Sequence, residues 1–511
     1  MKMASNQIPA PVKGLNLRQN TSKMGPEDAL ILKNYICDET DIRVRGGTDR
    51  FGQGIGATVG SIGVPMQTLM EWAGPAGRKF FAAGPAAIFD ITSGGAGTTV
   101  VTSLTAGYWS HLMFTTAGGS FLVAANGAND VRNYDGTTWT TPSITNVTSA
   151  TLNFVASHMS RLWFVQNDTT KAWYLPTSAI AGAAAGFELG ERFTKGGKLM
   201  MIGALSRDSG SGVDDVLCFI SSKGEVAVYS GTDPASADTW ALVGRYSCAA
   251  PINNRSLISI GGDLGIVTQS ALVSVRALIA GGQEKAEADA ISDKIDHGIA
   301  RAYQSYGTLA GWQIQNVSSL ALAYLNIPLT TSTAFQYCLN TTSGSWSELR
   351  GMHATCWGIY NDQVYYGTYE GDVYRAETGY SDYGSVPIEA EVKPAFRNFG
   401  TSHTKRFTRV RPIFAARGRV VPAIRVATDY KSAPPVASDQ FPHDSLTGSF
   451  WSYGRWSEAR WGGRADALSA TWLTATGRGK VATVHMKSST IIRARLNAID
   501  IQYEVVEGVT T

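Results

Sequence analysis

Through the middle of the chain, short apolar runs alternate with turn residues at close intervals. Phe121-Leu122-Val123-Ala124-Ala125 ends in Asn126-Gly127, and the chain continues through Tyr134, Asp135-Gly136 and Trp139. The same order recurs over residues 161–175, 216–229 and 363–374, each time an apolar strand, a turn, a second strand and an aromatic residue, and a further apolar strand stands at 264–268. Ser221-Ser222-Lys223-Gly224 and Tyr369-Glu370-Gly371-Asp372 read as short hairpin loops in which glycine supplies the positive φ of the turn. Units of this kind spaced by about 40 to 50 residues predict the four-stranded blades of a β-propeller. We expect about six or seven blades between residues 60 and 384, with a β-sandwich array as the alternative.

Two stretches depart from this rhythm. Between Glu284 and Tyr303, Ile291, Ile295, Ile299 and Tyr303 recur every fourth position, which predicts one amphipathic helix inserted near 284–304, packed on a blade edge or facing a partner. From residue 385 onward, apolar and basic residues alternate, as in Lys405-Arg406-Phe407-Thr408-Arg409-Val410-Arg411 and Ile492-Arg493-Ala494-Arg495-Leu496. Period-two alternation predicts half-buried antiparallel strands, hence a β-sandwich-like C-terminal domain over 385–511. The first 59 residues, bounded by Pro9 and Pro11, read as an extended docking or platform segment.

Composition supports an all-β chain. Only 17% of the 511 residues are charged, while there are 55 glycines, 13 tryptophans and 20 tyrosines. The formal net charge of +3 hides an asymmetry. Residues 385–511 carry 18 Lys+Arg against 10 Asp+Glu, a balance of +8, which leaves −5 for the preceding 384 residues. The five cysteines are scattered and never form a C-x-x-C pair, so buried free thiols of a protein made in a reducing cytoplasm are expected. No apolar run long enough for a membrane-spanning helix and no secretory signal is read.

The search for chemistry returns little. Phosphate-loop, nucleophile-elbow, zincin and EF-hand motifs are missing, and neither a catalytic residue, a metal site nor a cofactor is expected. Gly52-Gln53-Gly54-Ile55-Gly56 has no following helix pattern and reads as a loop. A glycosidase would need two carboxyls across a cleft. Asp214-Asp215, Glu27-Asp28 and Glu389/Glu391 are the candidates, and each reads more simply as loop or ion-pair chemistry. Trp451, Tyr453, Trp456 and Trp461 cluster with Arg455, Arg460 and Arg464. That combination suits a subunit interface first, with internal packing or a stacked ligand as alternatives.

Two parts of the sequence resemble the tail nozzle family of short-tailed (podovirus-type) bacteriophages. The first runs through Pro9-Ala10-Pro11-Val12-Lys13-Gly14-Leu15-Asn16-Leu17-Arg18, Met24-Gly25-Pro26-Glu27-Asp28-Ala29, Leu32-Lys33-Asn34-Tyr35 and Arg43-Val44-Arg45-Gly46-Gly47. Gly25 stands where that family commonly has proline, and Tyr35 where it commonly has tryptophan. The second comprises residues 323–328, 340–347, 364–367, 371–374 and Gly379-Tyr380-Ser381-Asp382-Tyr383-Gly384. The resemblance covers about a quarter of the chain. It implies a virion tail protein, a hexameric ring beneath the portal–adaptor assembly that extends the DNA channel, retains the genome and carries fibres or spikes. On that basis Gly14, Leu15, Asn16, Arg18, Met24, Pro26, Ala29, Asn34 and Arg45 would dock on the adaptor. Arg406, Arg409, Arg411, Trp451, Arg455, Trp456 and Trp461 would face neighbouring subunits or the passing double-stranded DNA, without reading its sequence.

Overall fold

The computed structural model describes residues 3–57, 62–208, 213–416, 418, 420–431, 433–435 and 467–506. The chain divides into two compact units: Met1–Asp49 with Tyr337–Gly351 and Ala376–Thr511, and Arg50–Gln336 with Met352–Arg375.

The second unit is a β-propeller. Its apolar runs form hairpins with their nearest sequence neighbours, because the turn residues between them close two strands within a few positions. Gly224, at φ +79°, closes one such turn. A Cβ there would sit 2.2 Å from the Cys248 carbonyl oxygen, so both backbone angle and space require glycine. Four successive four-stranded antiparallel sheets start at Thr68–Gly74, Ser110–Thr116, Leu152–His158 and Leu199–Asp208. A three-stranded fifth starts at Leu257–Ile260. The sixth begins with Gln313–Val317 and Leu322–Pro328, and the seventh with Cys356–Tyr360 and Gln363–Gly367. Successive sheets pack on one another, and Cys356–Tyr360 packs back on Thr68–Gly74, which closes a ring of seven sheets among the described residues. Thr48–Gly52, from far upstream, lies beside Val373–Ala376 and completes the seventh sheet. Arg50 Nη2 donates to the Tyr374 hydroxyl at 3.1 Å, and Ile55 N to the Gly371 carbonyl at 2.8 Å.

Aromatic side chains fill the seams between sheets. Phe80 of the first stacks on Tyr360 of the seventh at 4.7 Å, and Tyr324 of the sixth on Trp357 of the seventh at 4.8 Å. Trp163 of the third meets Phe219 and Trp240 of the fourth at 5.5 and 5.8 Å.

The helical insertion differs from its expected form. Instead of one helix near 284–304 there are α1 (Val275–Ala288), broken at Gly282 (φ +74°), and α2 (Asp296–Tyr306). Ser274 caps α1, accepting from Ala277 N. The stripe is interrupted because residues 290–292 serve the fifth sheet. Ile291 N donates to the Leu272 carbonyl at 3.0 Å, and Leu272 N donates to Ser292 Oγ at 2.7 Å. This segment lies beside the third strand of the fifth sheet, and α1 packs on the fourth and fifth sheets. Ile295 and Ile299 are buried as expected from their spacing, whereas Ile291 and Tyr303 are only half-buried.

The other unit is a two-sheet β domain. One sheet runs Ala467–Ala470, Lys405–Ala416, Ala494–Val505, Ile42–Val44, Tyr35–Cys37, with Met3–Pro9 also on Ala494–Val505 and Leu473–Gly479 on Lys405–Ala416. The other sets Asp28–Lys33, Val386–Pro394, Ala482–Thr490 and Ala423–Thr428 side by side. The expected boundaries at 59 and 385 therefore shift. Residues 3–49 belong to this unit, and within them Met3–Pro9 pairs with the last strand, Met3 opposite Glu504 through Pro9 opposite Ala498. Pairing satisfies backbone groups that an isolated arm would leave to water.

Candidate functional site

Most residues of the family-like motifs lie inside the two-sheet unit. Asn34 sits at φ +56°, a conformation asparagine tolerates better than most residues. Its Nδ2 donates to the Glu389 carbonyl at 2.8 Å, while its Oδ1 accepts from Arg45 Nε at 3.1 Å and Arg350 N at 2.7 Å. Arg45 is 1% exposed. It grips Asp382 with both terminal nitrogens, at 2.9 and 2.6 Å, and donates further to the Gly46 and Arg350 carbonyls at 2.8 and 3.0 Å. With the bond to Asn34, all five guanidinium N–H groups are used. Thr48 Oγ1 adds a bond to Asp382 at 3.3 Å. Gly47 is required beside this network, since a Cβ would meet the Ser381 carbonyl oxygen at 2.0 Å.

The two motif segments, more than 300 residues apart, thus share one buried hydrogen-bonded frame. Asn340 Nδ2 adds another link, donating to the Cys37 carbonyl at 2.8 Å. Gly14, Leu15, Asn16, Ala29, Asn34 and Arg45 are buried, Met24 is half-buried, and Arg18 and Pro26 are exposed. The buried members build the unit; the surface expected for docking narrows to the loop carrying Arg18, Met24 and Pro26. Asn16 and Asp28 close the base of that loop, with Asn16 Nδ2 donating to Asp28 Oδ2 at 3.0 Å.

The arginine-rich strand Lys405–Ala416 contains an irregularity that its sequence does not announce. Register with both neighbours shifts between Phe407 and Arg409. Lys405, Phe407, Val410, Pro412 and Phe414 consequently point inward, and Arg406, Arg409 and Arg411 share the outer face. Lys405, fully buried, donates to the carbonyls of Thr401, His403 and Lys480 at 2.7, 3.1 and 2.8 Å. Arg411 is held within the chain by Asp500, at 2.6 and 3.0 Å, and lies 4.7 Å over Trp472. Arg406 and Arg409 are exposed and make no ion pair among the described residues. Arg406 stands opposite Arg478 on one side and Glu504 on the other. Two other C-terminal cations are internally paired, Arg495 with Asp38 and Asp41 at 3.3 Å and Lys487 with Glu391 at 3.7 Å. Trp451, Tyr453, Arg455, Trp456, Arg460, Trp461 and Arg464 lie outside the described residues.

Glu391 is the centre of a second polar cluster, with His485 Nε2 at 2.7 Å and Lys33 Nζ at 3.1 Å. Burial pushes its pKa up, but the His485 hydrogen bond and the charges of Lys33 and Lys487 prevail and bring it down to about 2. Of the acid pair Glu389/Glu391, Glu391 is therefore ion-pair chemistry, with lysine and histidine as partners, while Glu389 offers its backbone carbonyl to Asn34. Asp214 and Asp215 lie on the hairpin strand Val213–Ser221, opposite Arg207 and Ser206.

In the propeller, Tyr108, His111 and Arg255 form a cluster that no sequence motif signals. Arg255 lies 5.6 Å over the Tyr108 ring and donates to the Gln67 carbonyl at 3.1 Å. His111, on the first strand of the second sheet, is solvent-exposed, and crowding by the protein around it, then the Arg255 charge, lowers its pKa.

All five cysteines are free and buried, and burial raises Cys218 and Cys248 to about 12. Among the described residues, no group of three or more His, Cys, Asp or Glu side chains is placed to hold a metal ion. No described helix is long and apolar enough to cross a membrane.

No family model matches the chain, and no curated protein matches it. Among solved structures it is similar to BBS1N from its complex with ARL6DN, at 9% identity and a TM-score of 0.38 over 66% of this chain and 96% of that one. It is also similar to BamB from Moraxella catarrhalis, at 10% identity and a TM-score of 0.35 over 65% and 97%. The computationally designed Ika8 protein matches at 9% identity and a TM-score of 0.36 over 71% and 99%.

Proposed function

We propose that this chain is a structural subunit of a short-tailed phage particle, a tail nozzle protomer that works as one of six in a ring. The ring extends the DNA channel below the portal–adaptor assembly, helps retain the genome and carries fibres or spikes. One observation carries the reading: the two segments that resemble the nozzle family meet in the Asn34–Arg45–Asp382 frame. Residue types that look like scattered motif positions in sequence have a joint physical task, which is what a family-defining pattern requires.

The outer arginines give the unit a suitable surface chemistry. Phosphate neutralisation needs cations without base readers, and a duct for sliding DNA needs few of them. Arg406 and Arg409 supply two exposed cations, while Arg411 is already committed to Asp500. The same two arginines would equally suit acidic residues of a neighbouring subunit. Adaptor docking falls to the loop bearing Arg18, Met24 and Pro26.

Mass measurement of the purified chain, alone and with its portal–adaptor complex, tests this reading. A discrete ring of six copies is expected. A chain that stays monomeric in both settings overturns it. A receptor- or glycan-binding propeller is the second reading, favoured by the cationic cleft described next.

A further inference from the structure

The fourth propeller sheet carries a cleft of about 320 Å³, near the lower end of the roughly 300–1,000 Å³ usual for small-molecule sites. Its lining includes the buried Ala227 and, on the same face, Arg245, with Arg192 and Lys195 on the adjoining loop. Tyr246 pairs with Val226 on the opposite face, its ring lying over Gly244.

The only carboxylate lining this cleft is Glu225, and its oxygens are taken. Thr194 N and Oγ1 donate to one at 2.8 and 2.9 Å, and Lys195 N donates to the other at 2.9 Å. Desolvation opposes the Glu225 charge, but the backbone N–H groups of Lys195 and Thr194 outweigh it and hold the pKa below the usual value. Glu225 thereby fastens the loop that presents Arg192 and Lys195 opposite Arg245. Phe193, 7% exposed, pins the same loop into the sheet's core. Lys195 Nζ reaches Ser247 Oγ across the cleft, and neither Arg192 nor Arg245 has an ion-pair partner among the described residues.

Three cations against one carboxylate leave a surplus of two positive charges in the cleft. Bringing like charges together is unfavourable unless an anion joins them. We propose that this cleft binds a phosphomonoester, the dianion held between Arg192, Lys195 and Arg245. The cleft is too small for a nucleotide-sized ligand. The inference is independent of the nozzle reading.

Calorimetric titration of the full chain with glucose 6-phosphate, inorganic phosphate, glucuronate and glucose tests it. Glucose 6-phosphate and inorganic phosphate are expected to bind saturably, and glucose not at all. Arg192→Ala, Arg245→Ala and Lys195→Gln each weaken binding by on the order of tenfold or more, as loss of a charged hydrogen bond does. Arg78→Ala, elsewhere on the propeller, changes nothing. Absence of saturable binding by either phosphate overturns the proposal, as does glucuronate binding as tightly as glucose 6-phosphate. An equal loss in Arg78→Ala would reduce the effect to diffuse charge and also overturn it. Thermal unfolding of each variant, all at exposed or half-exposed positions, separates lost binding from lost fold.

Discussion

In the propeller unit, strands that pair are almost always consecutive in sequence, and hairpin after hairpin is closed by a short turn. Its sheets are then joined by aromatic rings such as Phe80 on Tyr360 and Trp163 on Trp240. In the two-sheet unit, pairing spans most of the chain: Asn6 Nδ2 donates to the Tyr503 hydroxyl at 2.7 Å, and Lys33 pairs with Glu391 at 3.1 Å. Polar networks hold what local turns cannot. The contrast teaches where specificity resides. Hairpins choose partners by proximity, whereas distant strands need directional groups that accept only one register.

The largest way to break this contrast is Arg45→Ala. It leaves Asp382 buried without its cation and removes one of the two donors to Asn34 Oδ1, and loss of one partner of a buried pair costs about 3–5 kcal/mol. Hydrogen exchange on the full chain should show protection falling in residues 3–49 and 376–506 while the propeller sheets keep theirs. Trp163→Ala should cost a similar amount, about 3–5 kcal/mol, but with lost protection centred on the third and fourth propeller sheets. If both variants lost protection in the same places, the distinction between the units would fail.

A smaller effect comes from pH. Glu391 is depressed in the folded state, so its contribution is fully present above the ordinary 4.5 and is lost as pH falls toward about 2. Glu391→Gln should therefore lower the melting temperature of the two-sheet unit at neutral pH and flatten its decline in acid. A variant with the same acid slope as the parent would remove Glu391 from the account. The smallest effect on stability, within about 0.5 kcal/mol, is expected for the exposed pair Arg406→Glu with Arg409→Glu. That double variant should nevertheless lose ring assembly or DNA retention, measured by particle mass and genome release.

Local structure was legible in the sequence for a physical reason. Turn glycines such as Gly224 and alternating apolar runs act within a few residues, so the propeller could be read blade by blade. The all-β class and the alternation of the C-terminal strands were legible likewise. The pairing of Met3–Pro9 with residues 498–504 was not, because nothing in either segment names its partner. The shift at Arg409 was equally hidden: strict alternation would have put Arg406 and Arg409 on opposite faces. Motif positions such as Asn34 and Arg45 stood out, yet their chemistry was inward. Tyr108, His111 and Arg255, and the cleft rim of Arg192, Lys195 and Arg245, come together only once the ring of sheets has closed.

Copy number and position in the assembled particle test the account's central claim most directly. Electron microscopy of intact particles should place six copies of this chain in a ring at the distal end of the tail, around the path of the DNA. Finding single copies scattered over the capsid, away from that path, would contradict it.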